Sequence, residues 1–421
     1  MRGEASTPLV PGVGEPGGDA GGRLLPMGLP HDLDRSASRS LLSATTPGMP
    51  MVYLRRLAGL LLRGIAVLLV GAFGVGYAAP FLPPTLFWWT DLFAVLLPLL
   101  AGAVSGLSVV LLGQGVRRGA WGRVGLGVVL LGLVAVRFAP RGGTAPAPAE
   151  EERLHLMTFN VPMSYARQRP SAQALSDLVH QQGPDLLALQ ESWVPSPSLS
   201  ETDEGGPLWP PGPLLEAHGY APPQVRPSET TLCQPVLGRI PLDSVQRVPL
   251  PPARNRCSHY TRTRFRWRGR TAILYNVHLH SVGTVRPWTA DSRWEALGQW
   301  RAFLAAYRRG ALARARQARH LRARIAAEKH PVLLVGDFNS TPHQWAYRHL
   351  AEGLQGAPHQ ALWDWGATFP ARWPVVQIDH VLADTAWRMG RARIPAPPPT
   401  PPLSDHRPVL VSLQWAEDHS E

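Results

Sequence analysis

Asp337 stands at the mouth of an apolar run. Residues 330–341 read HPVLLVGDFNST, so Pro331 and Gly336 bracket branched apolar positions with the composition of a buried strand. A carboxylate placed there is costly unless a cation or a donor compensates it. Alone, the stretch fits a turn equally well, because Gly, Asp, Asn and Ser all favour turns. The same event recurs along the chain. LMTF runs to Asn160, LLALQ to Glu191, ILYNV to His278 with His280 beside it, and VVQI to Asp379. Asn339 follows Asp337 by two positions, and Ser404-Asp405-His406 precedes the last apolar body, PVLVSL. Turns do not account for so many metal- or phosphate-capable groups at strand ends. A divalent metal and a phosphate together supply the compensation that buried carboxylates need.

Metal-assisted attack of water on a phosphoester fits this set. Mg²⁺ takes hard oxygen ligands, keeps several waters and needs few protein ligands; Mn²⁺ is an acceptable substitute. The chemistry also needs a base to orient the water and donors for the charge developing on phosphorus. It needs no thiol and no serine nucleophile. His278 and His280 lie two apart on a strand and so share a face, which keeps a zinc site open as an alternative.

In order, N, QE, NVHL, GDFNSTP, IDH and SDHRPV resemble the endonuclease/exonuclease/phosphatase superfamily over roughly residues 153–415. Deoxyribonuclease I, abasic-site endonucleases, neutral sphingomyelinases and inositol-polyphosphate phosphatases are members. The resemblance implies an α/β fold, a two-sheet sandwich of the deoxyribonuclease I type. It also implies roles. Glu191 would hold the metal, with Asn160 close by and Asp405 in or near its shell. Asp337 would activate the water, and Asn339 and His278 would bind phosphate. Asp379 would pair with His406, fixing its tautomer, and His406 would contact the scissile phosphate. His280 and His380 match no family role and read as structural or surface residues. One motif departs from the family pattern: LGRIP carries Gly238 where the family usually has serine.

Several elements must position these groups. Strands are expected over RLHLMTFNV, DLLALQES, QPVLGRIPL, PVLLVGDFNS, VVQIDHVLA and SDHRPVLVSLQW, with a hairpin in RFRWRGRTAILYNVHLH turning at Arg268–Gly269. Ser171–Gln182 reads as a helix. A longer one lies between Trp294 and Lys329, with Leu304, Tyr307, Ala311, Ala315, Ala318, Leu321 and Ile325 in one stripe. Its other faces, Arg314 among them, are crowded with arginine and read as solvated.

Ahead of this region the pattern changes. Residues 1–50 are Gly- and Pro-rich and read as disordered, and Met49 or Met51 offers an alternative start. Within residues 51–139, apolar runs at Leu57–Ala79, Leu92–Gly113 and Val124–Ala139 read as three transmembrane helices, the last extended to Trp121 by snorkelling arginines. Their lead resembles a bacterial subgroup of the family with three helices before the domain. Residues 140–152 form a Pro/Ala linker, 153–415 the hydrolase domain and 416–421 a tail. Arg55 and Arg56 precede the first run, Arg117, Arg118 and Arg123 join the second to the third, and Pro80–Asp91 has no positive charge. That asymmetry puts the domain outside the bacterial inner membrane, although Arg141 and Arg153 argue weakly the other way.

Composition leaves Cys233 and Cys257 either bridged or separate; an exported domain favours the bridge. Lys+Arg exceed Asp+Glu by 42 to 30, but Lys329 is the only lysine. So biased a usage is weak evidence for nucleic-acid binding. The expected function is therefore membrane-anchored, Mg²⁺-dependent hydrolysis of a phosphate ester, most simply a lipid-linked one, since a short linker holds the domain near the bilayer. A metal-dependent nuclease is the alternative, and a non-catalytic binding module a remote one.

Overall fold

The computed structural model describes residues 51–139, 152–166, 168–192, 194–195, 211–221, 231–253, 255, 257–283, 293–358, 366–397 and 403–416. The expected disordered segment, nearly all of the linker and most of the tail lie outside these residues. By compactness the chain falls into two units, 1–60 and 61–421. The described part of the first is the opening of one apolar helix.

That helix, α1 (Met51–Ala78), ends in a 3₁₀ turn, Ala79–Phe81. The short helices α2 (Pro84–Phe87) and α3 (Thr90–Val95) follow, then α4 (Leu97–Arg117) and α5 (Trp121–Phe138). Met51–Phe81, Leu97–Arg117 and Trp121–Phe138 are long and apolar enough to cross a membrane. Phe73, Leu97, Ala101, Val104 and Leu130 pack among them, while Leu62, Leu68, Val128 and other large apolar side chains stay exposed. The second run differs from its expected bounds. A proline in the first turn of α4 suits a helix start, where no backbone donor is required, and the chain bends at Leu96. Residues 92–95 therefore belong to α3, and Asp91 is buried ahead of the apolar helix.

The remaining strands are β1 (Leu154–Asn160), β2 (Leu186–Gln190), β3 (Val194–Pro195), β4 (Thr231–Leu232), β5 (Val236–Gly238), β6 (Leu242–Pro249), β7 (His259–Trp267), β8 (Arg270–His278), β9 (Val332–Asp337), β10 (Gln355–Gly356), β11 (Asp379–Ala383), β12 (Trp387–Met389) and β13 (Val409–Trp415). One sheet runs β12-β13-β1-β2-β5 and the other β10-β11-β9-β8-β7-β6. The helices α6 (Met163–Ala166), α7 (Arg169–Gln182), α8 (Pro211–Glu216), α9 (Arg293–Ala326) and α10 (Trp345–Leu350) complete the domain. The β7–β8 hairpin turns at Arg268–Gly269, as expected.

Side chains alternate across each strand, and here the two faces have different jobs. Leu154, Leu156, Leu186, Ala188, Phe265, Ala272, Leu274, Leu333, Val335, Val381 and Ala383 meet between the sheets. Met157, Phe159, Leu187 and Leu189 face α7. Ile273, Tyr275, Leu334 and Leu382 face α9 and α10, where Ala318, Leu321 and Ile325 cover them. The stripe on α9 is thus buried apart from Leu304, but Arg314 is not solvated: it is 1% exposed. Gly238 is explained by crowding, since a Cβ there would stand 2.8 Å from the Ile240 carbonyl oxygen.

Candidate active site

Following the inward-facing positions to one end of the sandwich, the core turns polar. Leu154 and Leu156 give way to Thr158 and Asn160; Ala272 and Leu274 to Asn276 and His278; Leu333 and Val335 to Asp337. β1, β2, β8 and β9 are parallel in pairs, so they end together. β11 is antiparallel to β9 and begins where β9 ends, with Asp379 opposite Asp337 and His278 on the other side. Register alone places Asp379, Asp337 and His278 in one row. Asp379 was expected at the end of a strand built from VVQI; it is the first residue of β11, because the preceding segment makes only an isolated bridge, Val376 to Phe369. Gly336 allows this close approach. Its φ is 127°, and a Cβ there would lie 2.0 Å from the Val277 carbonyl oxygen.

Across the gap, Asn160 Nδ2 donates to Glu191 Oε1 at 3.2 Å and to Asp337 Oδ2 at 3.1 Å, joining the two sheets. His278 Nε2 lies 3.6 Å from Glu191 Oε1 and 3.5 Å from Asp337 Oδ2. His406 Nδ1 is 2.9 Å from Asp379 Oδ2, and its Nε2 is 3.9 Å from Asp337 Oδ2. Asn339, expected as a phosphate contact, is occupied in holding Asp337. Its backbone N–H donates to Oδ1, and its amide donates to Oδ2 and to the Leu279 carbonyl. Asp405 is exposed; its described influence is its charge beside His406. Glu191 and Asn339 both adopt positive φ, 57° and 46°. Such conformations persist in non-glycine residues only where the surroundings over-determine them.

Three supports had no role assigned from sequence. Gln190 Nε2 donates to Thr158 and to Asn276 Oδ1, while Asn276 donates to the Leu189 and Pro235 carbonyls, making a buried floor beneath Asn160 and His278. Ser404 donates to the Asn160 carbonyl and accepts the His406 N–H, tying β1 to the His406 loop. The Thr368 hydroxyl accepts from the Asp379 amide. The spacing of Thr158 and Asn276 was a usable signal, two residues before Asn160 and His278 on the same face. His380 is structural: buried, with Nε2 2.8 Å from the Ser340 carbonyl. The backbone of His280 is held by Gln317 and Arg314.

The electrostatics follow from burial. Asp337 is pushed up to about 6, first by burial and then by Asp379; His406, His278 and the Asn339 amide pull the other way. Burial opposes charge on His406, but Asp379, Asp337 and Asp405 outweigh it and raise the imidazole to about 10. A base raised from 6.5 to about 10 gives stability that is fully present below 6.5 and lost as pH rises through about 10. In chelator, the urea midpoint should therefore fall over that range, and Asp379→Asn should flatten the fall. An equally steep fall in the variant would mean that the pair does not carry it.

Ligand atoms of Asp337, Asp379 and His406 lie within 4.8 Å of one another. Asp379 and His406 already satisfy each other, so a cation fits better on the oxygen side of the cleft. There Asn160 Oδ1 is buried with no hydrogen-bond partner, and the half-buried Glu191 carboxylate adjoins it. Those are hard oxygen donors of the kind Mg²⁺ and Mn²⁺ take.

A sequence model of the Endonuclease/Exonuclease/phosphatase family matches residues 157–406. The chain belongs to the endonuclease/exonuclease/phosphatase family. Members of this family generally hydrolyse phosphoesters and typically depend on a divalent metal. Similar solved structures include a family protein from Bacteroides vulgatus, at 16% identity and a TM-score of 0.43, covering 63% of this chain and 99% of that one. A family protein from Beutenbergia cavernae has 17% identity and a TM-score of 0.41, with 63% and 72% covered. Sphingomyelinase C from Streptomyces griseocarneus has 16% identity and a TM-score of 0.41, with 63% and 99% covered. No curated protein matches the chain.

Proposed function

We propose that this family member is a membrane-anchored, Mg²⁺-dependent phosphoester hydrolase acting on a lipid-linked phosphate outside the cytoplasmic membrane. The observation that carries the chemistry is the polar end of the sandwich, where Asn160, Glu191, His278, Asp337 and the Asp379–His406 pair converge. Asp337 accepts a proton from a water molecule as that water forms a bond to phosphorus and the bond to the leaving oxygen breaks. Asn160 and Asn339 hold the carboxylate for that task. His406, protonated and oriented by Asp379, donates from Nε2 to a non-bridging oxygen. His278 lies beside Glu191 and Asp337 and supplies a second ring nitrogen to the phosphate. Glu191 and Asn160 would hold the cation, with Asp405 outside them; when bound, it would supply positive charge against the phosphoryl oxygens.

The membrane part of the reading rests on the three apolar helices and on where the domain docks. The loop leaving Asp337 runs into α10, and Arg348 of α10 stacks on Phe81 at 4.0 Å, where the first apolar helix ends. The Cys233–Cys257 disulfide favours an oxidising compartment.

The full chain in detergent should release phosphate or a phosphomonoester from lipid-linked substrates in Mg²⁺ and lose that activity in chelator, with recovery on adding Mg²⁺ back. Activity indifferent to chelator would remove the metal reading. Nicking of plasmid DNA at low salt with no turnover of lipid phosphates would replace this substrate class with nucleic acid.

A further inference from the structure

The second half of α9 lies on the sheet, where Ala318, Leu321 and Ile325 are buried. The first half carries apolar side chains outward. Leu297, Trp300 and Leu304 are exposed, and their spacings of three and four put them on one face. The opposite face is small and polar: Ala302 is exposed there, and Gln299 donates to Glu295 at 2.8 Å. Exposed Arg301 borders the apolar face and exposed Arg308 ends it. Arginine stems can lie along such a surface while their heads stay in water. Most helical stability comes from packing an amphipathic face, so leucine and tryptophan turned to water would leave this half of α9 poorly supported.

What covers the face follows from where it starts. α9 packs against α2, in the connection between the first and second apolar helices. Tyr307 stands where the exposed half of α9 meets the buried half. Its phenol is raised by burial and then by the Asp91 carboxylate of α3, which places the join at that same connection. The connection is itself apolar on its surface, with Phe81, Leu86 and Trp89 exposed. Two more contacts set this side of the domain against one end of the helical bundle. Arg348 lies over Phe81 at 4.0 Å, and His343 meets Phe138, the last residue of α5, at 5.2 Å between ring centres. If the three helices span a bilayer, the exposed face of α9 continues an apolar surface at the depth where acyl chains give way to headgroups. Trp89 and Trp300 are of the type enriched at that boundary.

We propose that the first half of α9 is an interfacial helix, with Leu297, Trp300 and Leu304 seated in the headgroup–acyl boundary of the bilayer that the three helices cross. The inference rests on reading those helices as spans, not on the hydrolytic reading.

The test uses the full chain in vesicles of phosphatidylcholine and phosphatidylglycerol, with chelator present so that lipid turnover plays no part. Leu297→Cys, Leu304→Cys and Ala302→Cys each offer one thiol for a fluorophore, since Cys233 and Cys257 are joined in a disulfide. All three positions are exposed, so labelling leaves the core untouched. Interfacial helices bury their apolar face about 5–10 Å into the boundary. A nitroxide at the carbonyl end of the acyl chain should therefore quench positions 297 and 304 several-fold more than position 302, and more than a nitroxide at the methyl end does. Aqueous iodide should show the reverse order, with 302 the most quenched. Equal lipid quenching at all three positions, or none at any, would overturn the proposal. Protection of 297 and 304 from iodide without quenching by lipid would assign the face to a second copy of the chain and overturn it as well. Failure of the span reading is seen separately, as release of the unlabelled chain from membranes by carbonate without detergent.

Discussion

Asp337→Asn is expected to lower kcat for phosphoester hydrolysis by about 10³-fold, within the range that general-base removal produces, with KM little changed. The carboxylate is 1% exposed and lies in register between His278 and Asp379. Both its oxygens accept hydrogen bonds, from Asn160 and from the amide and backbone of Asn339. An asparagine cannot take a proton from water, and its own N–H₂ would confront one of those donors. His406 offers no replacement, because Asp379 holds it protonated. Burial pushes Asp337 up to about 6, so wild-type activity in Mg²⁺ should also decline on the acid side, as the carboxylate takes up a proton. Circular dichroism should show the variant folded. A kcat within tenfold of wild type would require a different base.

Much of this cleft was legible because strand ends advertise themselves. An apolar run stopping at Asp337 or Glu191 is a local pattern, and so is the switch from Leu333 and Val335 to a carboxylate on the same face. Pairing was less accessible. That Asp379 stands across from Asp337 depends on β11 running antiparallel from its first residue, which VVQIDH does not show. Asn339 illustrates the same limit: its type suits phosphate binding, but its neighbours, Leu279 O and Asp337, put its donors to other use. Gln190 and Asn276 were visible only as parts of motifs, since the floor they make joins two sheets through contacts distant in sequence. Arg314 was beyond reach for a similar reason. On α9 it is one arginine among many, and the groups that face it, Asp91 and the His280 carbonyl, are distant from it in sequence.

Arg314→Met should destabilise the folded chain by about 2–3 kcal/mol, because it strips a charged donor from the His280 carbonyl and removes the nearby positive charge that favours a buried carboxylate. Asp91 is that carboxylate. It is 3% exposed, and its carboxyl is raised to about 6 by burial, against the pull of Arg314, the Trp345 amide and the Gln344 side chain. Arg314 also donates to the His280 carbonyl at 3.0 Å, while Gln344 reaches Tyr307 and accepts the Thr341 amide. The network therefore joins α3 to both loops that leave β8 and β9 at the site. A carboxyl raised from 3.8 favours folding below that value and loses its contribution as pH rises through about 6. Without Arg314 the shift should grow, so the gap between variant and wild type should narrow on acidification. Urea unfolding in detergent at neutral and acid pH measures both effects. The double variant Asp91→Leu, Arg314→Met should recover most of the loss, because an apolar pair removes the charge along with its partner. A double variant as unstable as the single would show that Arg314 acts through His280 and the helix rather than through Asp91, and the tie between the membrane-proximal segment and the site loops would have to be sought elsewhere in α9.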